Sequence, residues 1–149
     1  MFTIEKPKEI HLNSWKEIIN ESASSNSFQF EEVNFSLFWT CIFRDDYFAF
    51  AAKNEDKFMG IVVAKINETY YEKNIVLDVL YVLQDFRKIG VARALMNKIE
   101  EIAKEKNLDL IIKGVEKSNL LAQKLFKNYA VVNRTRSVSY THLTLPTRS

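Results

Sequence analysis

The sequence predicts an α+β domain, a mixed and mostly antiparallel sheet flanked by helices on both faces. Three observations predict it. Strand and helix patterns follow one another in the order β-α-α-β-β-β-α-β-α, then β. The run Ile75-Val76-Leu77-Asp78-Val79-Leu80-Tyr81-Val82 is apolar at every position but Asp78, as in a strand covered on both faces. Beyond it, Val91, Leu95, Ile99 and Ile102 recur at spacings of three and four, the apolar side of a helix.

The elements follow in order. Phe2 to Glu5 reads as a short strand. Pro7 opens a helical pattern through Ile10, Leu12, Trp15, Ile18 and Ile19. Ser22 to Ser27 is a polar break, expected to be a loop. A second helix carries Phe35, Phe38, Trp39, Ile42 and Phe43, an aromatic stripe that belongs to a core before it belongs to a binding site. Tyr47 to Lys53 and Lys57 to Ile66 are two strands joined by the turn Asn54-Glu55-Asp56. Asn67 to Asn74 is a polar connection. After the central strand and helix, Leu108 to Val115 is a further strand, Glu116-Lys117-Ser118 a turn, and Asn119 starts a last helix through Leu121, Ala122, Leu125 and Phe126.

Composition bounds the function. The 149 residues suffice for one domain with its own core. Hydrophobic residues make up 47% and charged residues 27%, so the chain is globular rather than disordered. A net charge of +2 supplies no field to recruit nucleic acid or a membrane surface, and neither partner is expected. Cys41 is the single cysteine and has no internal disulfide partner, which suits a reducing cytoplasm. The first residues lack the apolar core of a signal peptide, and no apolar run is long enough to span a bilayer. No metal site is expected, and the protein is expected to be a monomer or homodimer.

The chemistry concentrates between the central strand and its helix. The connection Leu83-Gln84-Asp85-Phe86-Arg87-Lys88-Ile89-Gly90 is basic and carries one glycine. The free amides of the following helix point into it, with the positive end of the helix dipole behind them. Such a site binds anions, phosphate above all. Gly90 and the small Ala92 leave room for close approach to the backbone, and Arg87 and Lys88 add charge. A Walker loop would need two glycines and a Lys-Ser/Thr pair, and a dinucleotide fingerprint three glycines; neither is present. The plainer reading is an ordinary strand-to-helix connection with a solvated Arg-Lys pair.

The pattern Arg87-x-x-Gly90-x-Ala92 after Leu80-Tyr81-Val82 resembles the coenzyme A pyrophosphate loop of the GNAT acetyltransferase superfamily, Gln/Arg-x-x-Gly-x-Gly/Ala. Gln84 stands where many members carry proline, and Lys88 where many carry glycine. In the last helix, Asn119-x-x-Ala122-x-x-Leu125-Phe126 resembles the superfamily's Asn-x-x-Ala-x-x-Leu-Tyr, beside the thiol end of coenzyme A. Asn119 is equally a good helix N-cap. Phe126 replaces a tyrosine that protonates the leaving thiolate, and Ala130-Val131 replaces Gly-Phe.

The resemblance implies an acetyl-CoA-dependent N-acyltransferase acting on a primary amine of a small molecule or protein. It implies that Leu80, Tyr81 and Val82 bind the pantetheine arm through their backbone. The Leu80 amide would face the thioester oxygen. Arg87, Lys88, Ile89, Gly90, Val91 and Ala92 would hold the pyrophosphate, with Asn119 and Phe126 near the thiol. Asp78 is the candidate general base, because related members carry a carboxylate at the matching place. Burial in its strand would raise its pKa toward that of a useful base. The other reading of Asp78 is a structural carboxylate paired with a lysine or tyrosine. Phe28, Phe30, Glu31, Glu32, Asp45 and Asp46 could border the acceptor, or simply form a solvated face. The alternative function is an acyl-CoA-binding module of the same fold with weak or no turnover.

Val138 to Thr147 resembles a translated sequencing adapter. The expected organisation is therefore an acetyltransferase-like domain over residues 1–136 and a non-native tail over 137–149. A genuine last strand, with Val138, Tyr140 and His142 alternating, is the other reading.

Overall fold

The computed structural model describes residues 1–25, 32–87, 89–113 and 130–132. Six strands form one sheet: β1 (Thr3–Glu5), β2 (Tyr47–Asn54), β3 (Lys57–Glu68), β4 (Lys73–Val82), β5 (Leu110–Lys113) and β6 (Ala130–Val132), in sequential order. β1 pairs antiparallel with β2, Thr3 opposite Lys53. β4 and β5 are parallel, Ile75 opposite Leu110, and so are β5 and β6, Ile111 opposite Ala130. The short turns joining β2 to β3 and β3 to β4 admit only antiparallel neighbours. The sheet is therefore mixed with an antiparallel majority, as predicted. Three helices are described: α1 (Leu12–Ser25), α2 (Glu32–Cys41) and α3 (Val91–Lys106). The chain divides into two compact units.

The first unit comprises Met1–Val63 with Val79–Leu95. Its core is Trp15, Ile18 and Ile19 of α1, Phe35 of α2, Ile42, and Ala49, Ala51, Ile61 and Val63 of the sheet. Phe38, Trp39, Tyr47, Phe58, Val79, Tyr81 and Leu83 pack against it half-buried. The aromatic stripe is thus core, with Trp39 stacked on Phe35 at 6.1 Å, although Phe43 ends exposed. Burying such side chains contributes about 1.5–3 kcal/mol each. α1 begins later than its sequence pattern: a 3-10 turn, Glu9–His11, precedes it and leaves Ile10 exposed. The predicted break at Ser22 is corrected, since α1 runs on through Ser25. A helix anchored by Trp15, Ile18 and Ile19 propagates through weak formers once nucleated.

The second unit comprises Ala64–Asp78 with Met96–Ser149. Its buried residues include Ala64 of β3, Asn74, Ile75, Val76 and Leu77 of β4, Met96, Ile99 and Ala103 of α3, and Leu110, Ile111 and Ile112 of β5. Ile102, predicted on the apolar side of α3, is only half-buried, and Ala103 and Met96 take the buried positions. α3 closes on Asn107 at φ +56, with Leu108 N–H donating to the Ala103 carbonyl at 2.9 Å and Asn107 N–H to that of Lys104 at 3.2 Å. This is a Schellman closure, with asparagine tolerating the left-handed position.

Candidate active site

β4 changes sides along its length. In a regular strand, N–H and C=O groups of residues two apart point to the same edge. Ile75 N–H donates to Asp109 at the foot of β5, at 2.9 Å. Leu83, eight residues on, should face that edge too. Instead its N–H donates to the Met59 carbonyl of β3 at 2.9 Å. The Tyr81 carbonyl also faces β3, at Gly60. One extra residue must therefore lie between Ile75 and Tyr81, a bulge. Val79, Tyr81 and Leu83 alternate regularly onto the first unit's core, so the extra residue falls within Val76–Asp78. Beyond it, the backbone groups of Leu80 and Val82 face away from β3.

The bulge accounts for Asp78. Its predicted burial is corrected: Asp78 is exposed, its side chain 32% accessible, with Oδ2 3.9 Å from Lys65 Nζ. Any action as a base does not rest on burial. The lysine pairing is the other reading that the sequence allowed.

After Val82 the chain makes a 3-10 turn, Gln84–Phe86, and Lys57 lies 5.5 Å from the Phe86 ring centroid. Arg87 leaves that turn in extended conformation. Its Nε–H donates to the Val82 carbonyl at 2.9 Å, and its guanidinium lies 5.3 Å from the Tyr81 ring centroid. The Tyr81 hydroxyl in turn donates to Glu21 Oε2 of α1 at 3.1 Å. Gly90 has φ +88, a region that a side-chain-bearing residue rarely adopts. Its carbonyl accepts from Ala94 N–H at 3.0 Å, so it caps α3. The amides of Val91, Ala92 and Arg93 precede the first intrahelical donor and have no helical acceptor. Nothing lies within 4 Å of the space a Gly90 β-carbon would fill, and the first turn holds no acidic residue. Ile89 is exposed and Val91 buried. Among the described residues, the space in front of Gly90 is open and the first turn of α3 carries no charge that would repel an anion. Lys88, Asn119 and Phe126 lie outside the described residues, as do Phe28, Phe30 and Glu31.

A model of the Acetyltransferase (GNAT) family matches residues 13–130, more than half of the chain. The chain belongs to the GNAT acetyltransferase family. Its co-substrate is acetyl-CoA. Solved structures of this family's type share the fold. The aminoglycoside N-acetyltransferase AAC(6')-Iy in complex with CoA is 18% identical, with a TM-score of 0.74 over 95% of each chain. An aminoglycoside acetyltransferase from an uncultured soil metagenomic sample, in complex with sisomicin, is 16% identical, with a TM-score of 0.71 over 97% of this chain and 95% of that one. A possible acetyltransferase from Clostridium difficile 630 is 14% identical, with a TM-score of 0.75 over 95% of this chain and 99% of that one. At these identities the likeness is one of fold. No curated protein matches the sequence.

Within this GNAT chain, sequence reasoning missed Glu21, Gly60 and the bulge. Glu21 meets Tyr81 across 60 residues of chain, and no local pattern announces that contact. Gly60 sits in the middle of a strand, and a glycine there is itself a signal of a bulge or a close backbone approach. Among the described residues no group of His, Cys, Asp and Glu could hold a metal ion, and no helix is long and apolar enough to cross a membrane.

Proposed function

We propose that this chain transfers an acetyl group from acetyl-CoA to a primary amine of a small molecule or of a protein. The observation that carries the reading is the helix start at Gly90. Unpaired amides, a glycine in left-handed conformation with open space in front, and a guanidinium pinned five residues past the strand together suit a pyrophosphate. Arg87, Lys88, Ile89, Gly90, Val91 and Ala92 hold it. The Nε of Arg87 is committed to Val82, so the pyrophosphate takes its terminal N–H groups. The pantetheine arm lies along Leu80, Tyr81 and Val82. Leu80 N–H, on the edge away from β3, donates to the thioester oxygen as negative charge develops there.

In the transfer, the amine nitrogen attacks the thioester carbon, the carbon–sulfur bond breaks, and the thiolate leaves with the electron pair. Holding both reactants together supplies much of the rate. Asp78 takes the proton that the ammonium must lose, directly or through water, for which its exposed position is suited. Asn119 and Phe126 flank the thiol. Phe126 has no hydroxyl with which to protonate the thiolate, and this favours the second reading, an acyl-CoA-binding module with little turnover. A thiol-release assay with a panel of amines separates the two. Release that depends on both acetyl-CoA and an amine is expected. Tight acetyl-CoA binding without release for any amine selects the module.

A further inference from the structure

We propose that Tyr81 is a positioning residue for Arg87, itself fixed by Glu21, so that α1 sets the readiness of the anion site. The proposal rests on the reading of the Arg87–Ala92 loop as the pyrophosphate site. Three contacts carry it, all within the first compact unit. The Glu21 carboxylate accepts the Tyr81 hydroxyl at 3.1 Å. The Tyr81 ring carries the Arg87 guanidinium at 5.3 Å. The Arg87 Nε–H is held by Val82, the next residue along the strand, at 2.9 Å.

An exposed arginine samples many rotamers and loses that freedom when it grips an anion. One already held between a carbonyl and an aromatic face loses less, so it binds more tightly for the same contacts. The carbonyl fixes one edge of the guanidinium and the ring face attracts its charge, which leaves the terminal N–H groups for a ligand. Tyr81 is well placed for this because its ring is anchored twice, by the core cluster on which it packs and by Glu21 at its hydroxyl. A tyrosine free to swing would not hold the cation still.

The test is a double-mutant cycle read by calorimetry with acetyl-CoA on the full chain. Arg87→Ala weakens binding markedly. Tyr81→Leu weakens it about two- to fivefold, the worth of an exposed cation–π contact. The same change made in the Arg87→Ala background does nothing further. Tyr81→Phe, which keeps the ring but releases Glu21, falls between wild type and Tyr81→Leu. The KM for acetyl-CoA rises with the dissociation constant, and the KM for the amine does not follow. Equal loss from Tyr81→Leu in both backgrounds would overturn the proposal, because it would mark a merely structural role. If Tyr81→Leu fails to fold, Glu21→Gln, on the exposed side of α1, replaces it in the cycle, and lack of coupling to Arg87 is again fatal. Unchanged affinity in Arg87→Ala alone would instead refute the loop reading beneath it.

Discussion

Gly60 faces the carbonyl of Tyr81 so closely that a β-carbon on Gly60 would stand 2.8 Å from that oxygen and 3.1 Å from the Val82 α-carbon. Those neighbours are backbone and cannot swing aside. The glycine lets β3 and β4 approach where β4 has just passed its bulge. Gly60→Ala must push the strands apart at the segment proposed to bind pantetheine. We expect a loss of about 1–3 kcal/mol, the usual cost of overpacking, read from urea denaturation at unchanged m-value. Acetyl-CoA affinity should fall with it. An alanine variant as stable as wild type would show that the strands can part freely.

Gly90 is a glycine for a different reason. Its neighbourhood is open, but its φ of +88 costs any other residue strain. Gly90→Ala should lose about 1–2 kcal/mol of stability, the penalty for left-handed backbone, and keep most of its acetyl-CoA affinity. Gly90→Glu should lose a similar amount of stability and nearly all affinity, since its carboxylate would lie where the pyrophosphate goes. Thermal melts and calorimetry on both variants check this. Equal affinity in wild type and Gly90→Glu would remove the loop from the site.

The strand, basic loop and helix were legible because each rests on local pattern: an unbroken apolar run, a lone glycine, and spacings of three and four. Asp78 was not, because its exposure depends on which neighbours β4 pairs with at each end. Ile75 is bonded to Asp109 and Leu83 to Met59, and no window of sequence holds both partners. The serines at the end of α1 misled for a related reason. Their composition suggests a loop, whereas the helix is held by residues a turn or two earlier. Glu21 carried no signal at all, being an ordinary charged residue on an exposed helix position.

His11 offers a pH test. It stands in the turn before α1, edge-on to Phe58 at 5.0 Å. Burial lowers its pKa from the usual 6.5, and Lys53 and Lys8 lower it further, against a smaller upward pull from Glu5. The unfolded chain therefore binds the proton more readily than the folded one. Stability contributed by neutral His11 is complete above pH 6.5 and falls as the pH drops from there toward the lowered folded value, below which the loss is constant. His11→Gln should flatten that part of the melting-temperature profile. A wild-type profile in which stability rises on acidification through this window would contradict the assignment.

Asp78 separates the chemistry from the fold. Its ion pair with Lys65 is exposed and long, so its loss should change stability by about 0–1 kcal/mol at most. A general base, by contrast, typically contributes about a hundredfold or more to the rate. Asp78→Asn keeps size and hydrogen bonding but cannot take a proton at neutral pH. We expect kcat with a primary amine to fall by that order, with melting temperature and acetyl-CoA affinity nearly unchanged. Raising the pH should partly restore the rate, because the amine then arrives already deprotonated. Lys65→Met breaks the same ion pair and keeps the carboxylate. It should retain far more activity than Asp78→Asn. Similar losses in the two variants would mean that the pair is structural, and undiminished kcat in Asp78→Asn would place the base elsewhere.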